Sequence, residues 1–228
     1  MEGFEYIKSN YLALLSEINS LAEKVGREVT LVAVTKSGSD EELTALCEAG
    51  ACHIGENRPG ELRRRGDLLK AQGFKPLLHE IGNLQRNKVK LIIEDVHLIH
   101  SLDNIALAVE IDKQAKKVGR TVDVLIEINS GREEQKGGVM PEDAEEFLLS
   151  LKDLSGINVA GLMTMGPVCE NAEDIRPYFR ETKELFDRLN EKHGFKGGIL
   201  SMGMSDSYAV AIEEGATLVR VGRMIFKK

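Results

Sequence analysis

Thr30-Leu-Val-Ala-Val-Thr-Lys36 is a short apolar run that closes on a single lysine. Five of the six residues before Lys36 are β-branched or leucine, which reads as a buried strand rather than a helix. An ammonium at the end of such a strand sits where apolar walls stop and a pocket or solvent begins. Burial of an amine there lowers its pKa and frees it for attack on a carbonyl, as Schiff-base lysines require. A lysine that caps the strand and points into water is the alternative reading of the same residues.

Outward from this run, the chain alternates. Before it, Phe4, Ile7, Tyr11, Leu14, Leu15, Ile18 and Leu21 recur at steps of three and four, an amphipathic helix over about 4–25 that Gly26 stops. After it, Ser39-Asp-Glu-Glu supplies an N-cap and an acidic first turn for a helix reaching Ala49 and Gly50. Further strands are expected at about 51–54, 76–81, 97–100, 121–128, 157–163, 197–201 and 216–221, with helices at 58–71, 85–94, 103–118, 141–152, 172–192 and 206–214. The clearest helix is 172–192, where Ile175, Tyr178, Phe179, Thr182, Leu185, Phe186 and Leu189 form one stripe. Eight βα units in 228 residues predict an α/β fold, a single (β/α)8 barrel domain over 1–228 preceded by the N-terminal helix. A Rossmann-like sheet is the other candidate, but no G-x-G-x-x-G joins the first strand to its helix.

Composition sets outer limits. A 42% apolar content supports a substantial core, and a net charge of −7 disfavours non-specific attraction to nucleic acid or an anionic membrane. Met1-Glu-Gly-Phe-Glu-Tyr-Ile-Lys8 has acidic residues and no apolar h-region of a secretory signal. No run approaches the ~18 consecutive apolar residues of a membrane span. Cys47, Cys52 and Cys169 are odd in number and lack a C-x-x-C pair, so reduced thiols of a cytoplasmic protein are expected. No ligand spacing for a metal is found.

Barrels place their chemistry at the C-terminal strand ends and in the loops behind them. That rule selects Lys36, Gly55-Glu-Asn-Arg58, Gly82-Asn-Leu-Gln85, Ser101-Leu-Asp103, Asn129-Ser-Gly-Arg132, Thr164-Met-Gly166, Ser201-Met-Gly-Met-Ser205 and Arg220-Val-Gly-Arg223. The last two are the most informative. Barrels frequently hold phosphate after strands seven and eight. Ser201, Gly203, Met204 and Ser205 run into the 206–214 helix, while Arg220 and Gly222 belong to the eighth strand end; together they describe a dianion site. The same Ser-x-Gly-x-Ser-Asp stretch is also an ordinary turn with Ser205 or Asp206 as N-cap. A lysine and a phosphate site in one mouth suit a phosphorylated aldehyde held as an imine. Pyridoxal 5′-phosphate is the commonest such cofactor, and a sugar phosphate on an aldolase-type lysine uses the same parts.

Other residues read more blandly. His53, His79, His97 and His100 lie in strand candidates as packed, hydrogen-bonded histidines. Glu133-Glu134, Glu145-Glu146 and Glu213-Glu214 read as solvated charge, and Arg63-Arg64-Arg65 as a solvated helix face. Met163, Met165, Met202 and Met204 fall at strand ends, where core packing and pocket lining are both open.

Seven collinear motifs carry a resemblance: Leu31-Val-Ala-Val-Thr-Lys36, His53-Ile-Gly-Glu-Asn57, His79-Glu-Ile-Gly-Asn-Leu-Gln-Arg-Asn-Lys88, Ile99-His-Ser-Leu-Asp103, Gly161-Leu-Met-Thr-Met165, Leu200-Ser-Met-Gly-Met-Ser-Asp206 and Val219-Arg-Val-Gly-Arg-Met-Ile-Phe226. They resemble, over nearly the whole chain, the YggS-like pyridoxal phosphate homeostasis proteins. The resemblance implies a barrel similar to the alanine racemase N-terminal domain, with pyridoxal phosphate on Lys36. It assigns phosphate binding to Ser201 through Ser205, Arg220 and Gly222, and places Asn57 and Met163 near the cofactor ring. The family often has Ser-Lys-Thr before a proline and Gly-His-Leu-Gln; here Thr35-Lys-Ser37 leads to Gly38 and Gly82-Asn-Leu-Gln85 stands instead.

Two activities compete. A pyridoxal phosphate-dependent amino acid racemase would use Lys36 and a second base, a tyrosine that related racemases carry on an additional C-terminal β domain. Of the four tyrosines here, Tyr6, Tyr11 and Tyr178 fall on outer helices, and Tyr208 is read as a helix-packing residue near the phosphate loop. The favoured expectation is therefore a cytoplasmic, monomeric carrier that buffers the cofactor and delivers it to recipient apo-enzymes, with no catalytic residue, no nucleic acid partner and no membrane.

Overall fold

The computed structural model describes residues 3–133 and 135–228. Eight strands run parallel and close into a barrel in sequence order: β1 (Thr30–Val34), β2 (His53–Glu56), β3 (Leu77–Glu80), β4 (Val96–Leu102), β5 (Val122–Ile128), β6 (Ile157–Thr164), β7 (Ile199–Ser201) and β8 (Leu218–Val221). Closure is made by β8 on β1, with Val32 opposite Arg220 and Ala33 opposite Val221. Because all strands are parallel, their eight C-terminal ends share one rim.

Around the sheet lie α1 (Glu5–Lys24), α2 (Asp40–Glu48), α3 (Pro59–Ala71), α4 (Val89–Ile92), α5 (Ile105–Lys117), α6 (Ala144–Ser150), α7 (Arg176–His193) and α8 (Tyr208–Glu213). The Ser39 cap is a full capping box: Glu42 N–H donates to Ser39 Oγ at 3.2 Å, and Ser39 N–H donates to the Glu42 carboxylate at 2.6 Å. α1 precedes the first strand and packs against α2 and α8. No helix among the described residues is long and apolar enough to cross a membrane.

Strand alternation produces two apolar layers. One set of strand residues, with Leu31, Ala33, Ile54, Leu78, Ile99, Ile126, Leu162 and Val219, faces the helices. The other set fills the barrel interior: Val32, Leu98, Leu125, Ala160, Met163 and Leu218. Lys36 follows two residues after β1 ends, at the C-terminal rim of the barrel.

Several boundaries differ from expectation. β1 ends at Val34, two residues before the lysine. The 85–94 helix is a 3-10 turn, Arg86–Lys88, followed by the four-residue α4, with no side-chain cap at either start. In 172–192 the first turn is 3-10, Ala172–Ile175, and the α-helix begins at Arg176, where Pro177 has no N–H to donate and suits the first turn. β2 extends to Glu56, so Gly55 and Glu56 are strand residues rather than loop residues.

Candidate functional site

Lys36 stands just past β1 and is exposed, which agrees with the second of the two readings of this run, a lysine at the strand end that meets water. Its backbone, by contrast, is fixed. Arg65 of α3, a residue expected on a solvated face, is buried and donates to Thr35 O at 2.5 Å, Gly38 O at 2.6 Å and Glu56 Oε1 at 2.5 Å. The two carbonyls bracket Lys36 and Ser37, so one guanidinium holds both ends of the lysine loop. Glu56 also accepts from Thr35 Oγ1 at 2.5 Å. A signal for Arg65 lies in helical phase: Leu62, Arg65, Gly66 and Leu69 form the buried face of α3, at the i, i+3, i+4, i+7 spacing of an inward stripe. Arg63 and Arg64 do face outward, paired with Asp67 and with Asp40 and Glu61.

On the opposite side of the mouth, the loops after β7 and β8 meet. Arg220 points inward from β8, is buried, and donates to Ser201 Oγ at 2.5 Å and Thr164 O at 3.1 Å. Burial lowers its pKa to about 10, opposed by the Glu127 carboxylate. Gly203 has φ +91°, and a Cβ there would lie 2.5 Å from Ala211 Cβ, so the turn requires glycine. Gly222 approaches β1 so closely that a Cβ would lie 2.5 Å from Val34 O. Asp206 and Arg223 pair across the two loops.

The expected cap on α8 is not made by Ser205 or Asp206. Ser207 occupies the N-cap position, and its Oγ accepts from Met204 N–H at 3.1 Å instead of from the helix. Among the described residues the N–H groups of Ser205, Asp206, Arg223 and Met224 donate to no protein acceptor. These unpartnered N–H groups lie on two turns joined by the Asp206–Arg223 pair, just past the strands that carry the Ser201 hydroxyl and the Arg220 guanidinium, and groups of this kind are what a phosphate dianion accepts from. Met204 is exposed and Ser205 half-buried on this rim, while Ser201 is buried below it.

The remaining expected residues divide. Asn57 is exposed after β2, where Gly82 packs against its carbonyl so tightly that no side chain fits at 82. Met163 is buried in the interior layer. Tyr208 is buried, and its phenol pKa is raised by burial and by Glu17 on α1, which places it among the packing residues. Arg132 pairs with Glu181 on α7 at 2.6 Å. Glu213 and Glu214 bind Arg176, and Glu145 binds Lys192 and His193. Glu134 lies outside the described residues. Cys47, Cys52 and Cys169 are free.

Two carboxyls stand out for raised pKa values, the half-buried Glu127 and the buried Glu80. Glu127 is on the interior face of β5, and burial, then Asp103, raises its pKa to about 7 against the pull of Arg220. Its signal is period two: Asp123, Leu125 and Glu127 alternate with the apolar Val122, Val124 and Ile126. Glu80 is fully buried, with Oε1 accepting from Gly82 N–H at 3.2 Å and Oε2 unpartnered; burial raises its pKa to about 8.

Three of the four histidines expected to be packed and hydrogen-bonded are so, and these three are also continuous; His97 departs from the expectation. His53 Nδ1 lies 2.9 Å from His79 Nε2, His79 Nδ1 lies 2.9 Å from His100 Nε2, and His100 Nδ1 lies 3.0 Å from Ser201 Oγ. His97 is exposed.

Comparison with known proteins agrees with this fold. The family model for the alanine racemase N-terminal domain matches residues 10–228. A pyridoxal phosphate homeostasis protein of Aquifex aeolicus is 43% identical over 93% of this chain and 94% of its own length. A crystal structure of an unknown protein from Bifidobacterium adolescentis superposes with a TM-score of 0.89 at 35% identity, covering 98% of this chain and 95% of that one. PipY of Synechococcus elongatus, solved with PLP bound, superposes with a TM-score of 0.85 at 28% identity, covering 97% and 100%. The chain belongs to the alanine racemase N-terminal domain family, within its group of pyridoxal phosphate homeostasis proteins.

Proposed function

We propose that this chain holds pyridoxal 5′-phosphate at the barrel mouth as a Schiff base on Lys36, and that it buffers the cofactor and delivers it to recipient apo-enzymes without turning over a substrate of its own. The observation that carries this reading is the shared rim: the Lys36 amine and the donor set of the β7 and β8 loops open on the same end of one barrel. PipY, with PLP bound on the same fold, supports the cofactor's identity. When bound, the cofactor supplies an electrophilic aldehyde carbon to which amines add.

The chain's own residues divide the work. Arg65 fixes the backbone on either side of Lys36, so the amine is presented from a set position. The N–H groups of Ser205, Asp206, Arg223 and Met224 bind the phosphate from two turns that Gly203 and Gly222 shape. Ser201 and Arg220 form the polar floor and Met163 its apolar part, while Asn57 borders the ring edge on the β2 side. An exposed lysine suits exchange, because an incoming amine or water reaches it without a lid opening.

A carrier rather than a racemase is favoured by Tyr208, whose hydroxyl is engaged toward α1 instead of the mouth. The three free thiols suit a reducing compartment, and we place the protein in the cytoplasm as a monomer. The test is to incubate holo-protein with L-alanine in deuterated water and, separately, with an apo-form of a pyridoxal phosphate enzyme. Restored activity of the recipient, with no α-deuterium in the alanine, supports the carrier. Racemisation with α-exchange at catalytic rates overturns it, and cleavage of a sugar phosphate would assign Lys36 to an aldolase.

A further inference from the structure

His53, His79 and His100 occupy interior-facing positions on three neighbouring strands. They rise from the start of β2, through β3, to the upper part of β4. The last hydrogen bond crosses the barrel to Ser201 at the end of β7, and Ser201 accepts from Arg220 on β8. One unbroken file of hydrogen bonds therefore spans the barrel from base to mouth, beside the apolar interior layer of Val32, Leu98, Leu125, Ala160, Met163 and Leu218. At the lower end His53 is half-buried and its Nε2 has no protein partner among the described residues. His97 lies edge-on to His53 and His79 at the base, with ring centroids 6.1 and 5.4 Å away.

The file has a direction. A guanidinium only donates, so the Ser201 oxygen accepts from Arg220 and its own proton is free for His100 Nδ1. Each neutral imidazole that accepts at Nδ1 donates at Nε2. His100 then donates to His79, His79 to His53, and His53 to water at the base.

We propose that Ser201, His100, His79 and His53 form a proton conduit between the cofactor pocket and water at the opposite face of the barrel. In the outward direction, His53 gives its Nε2 proton to water and receives one at Nδ1 from His79 Nε2. His79 is refilled at Nδ1 from His100 Nε2, His100 at Nδ1 from Ser201 Oγ, and Ser201 by a proton from the pocket. One proton enters, one leaves, and every ring stays neutral while its tautomer reverses; rotation of the rings or inward transfer restores the first order. The charged groups around the file suit neutral rings. Arg220 faces Ser201 and His100, Glu127 with Asp103 behind it faces Arg220, and the other histidines face His79. Burial and these neighbours hold His79 and His100 well below the ordinary histidine range, so neither traps a proton.

The conduit has a use in the proposed carrier, on which its pocket end rests. Lysine attacks an aldehyde as the free amine, so loading sheds a proton and unloading takes one up. A recipient docked over the mouth would close the upper route to solvent, and the file leaves one open below.

Two measurements test this. In the cofactor-free protein, ¹⁵N NMR of the histidine rings is expected to show His53, His79 and His100 neutral at pH 7 and all in the Nε2–H form. A ring in the Nδ1–H form, or an imidazolium at His79 or His100, breaks the file and overturns the proposal. In the pyridoxal phosphate-loaded protein, exchange of the His100 Nε2 proton with water is expected to slow about tenfold in His53→Phe, with the melting temperature retained, because exchange must then await local opening. His53→Gln keeps one hydrogen bond but has no second ring nitrogen to relay, and is expected to match. Exchange at the wild-type rate in both variants overturns the conduit. Failure to load with pyridoxal phosphate overturns the cofactor reading instead, and the tautomer measurement alone then decides the file.

Discussion

Arg65→Met is the most informative perturbation of the lysine loop. Methionine keeps much of the apolar stem but removes every donor. Glu56, whose side chain is 3% exposed, then keeps only the Thr35 hydroxyl, and the carbonyls of Thr35 and Gly38 lose their shared partner. Removing one member of a buried ion pair costs about 3–5 kcal/mol, a large share of the roughly 5–15 kcal/mol that stabilises a domain. The variant is therefore expected to fold with its urea midpoint well below wild type. Because the guanidinium brackets Lys36, borohydride trapping of pyridoxal phosphate on that lysine is expected to need at least about tenfold more cofactor, equivalent to ~1.4 kcal/mol. Arg65→Met/Glu56→Gln removes the stranded charge, so it should regain about 2 kcal/mol of stability without regaining trapping. Wild-type trapping in a destabilised Arg65→Met would refute the positioning argument, and a stability loss under about 1 kcal/mol would refute the buried pair as its cause.

Further outcomes follow from the same geometry. Glu80 titrates near 4.5 unfolded and about 8 folded, so folding takes up a proton between those values. Its contribution to stability is complete below pH 4.5 and is lost as pH rises through about 8. Urea unfolding of Glu80→Gln is expected to lose less stability than wild type between pH 5 and pH 9. His53, His79 and His100 run the other way: they are held below 6.5 when folded, so their contribution is present above pH 6.5 and is lost as pH falls. Calorimetry from pH 7 to pH 5 should show that loss as proton uptake on unfolding. Gly203→Ala forces a Cβ into a left-handed turn against Ala211; a loss of roughly 1–3 kcal/mol and weaker trapping are expected. Tyr208→Phe should change stability by about 1 kcal/mol and leave trapping unchanged.

The barrel was legible because periodicity and punctuation repeat eight times, and each strand carried its apolar phase openly. The placement of Lys36, Ser201, Ser205, Arg220 and Gly222 at one end of the barrel was legible because parallel topology alone sends those strand ends to one rim. What was not legible depended on contacts between distant elements. Arg65 reads as one of three adjacent arginines until α3 is laid on β1 and β2, when its phase turns it inward and its neighbours outward. The apolar run before Lys36 left a buried amine and an exposed strand cap both open; the strand stops at Val34 and the lysine is exposed. The histidine file needs the stagger between β2, β3 and β4 and the distance across to β7, neither of which a single strand encodes. Ser205 and Asp206 looked like caps from residue type, but the Ser207 hydroxyl folds back on Met204 and leaves the preceding N–H groups unpartnered.

The most direct test of the central claim is where a reduced cofactor label lands. The protein is loaded with pyridoxal 5′-phosphate, treated with borohydride, digested and mapped by mass spectrometry. A visible absorbance that bleaches on reduction, with one pyridoxyl phosphate group per chain on Lys36 and none in Lys36→Ala, is the predicted result. A colourless protein, or a label on any other lysine, would contradict the account.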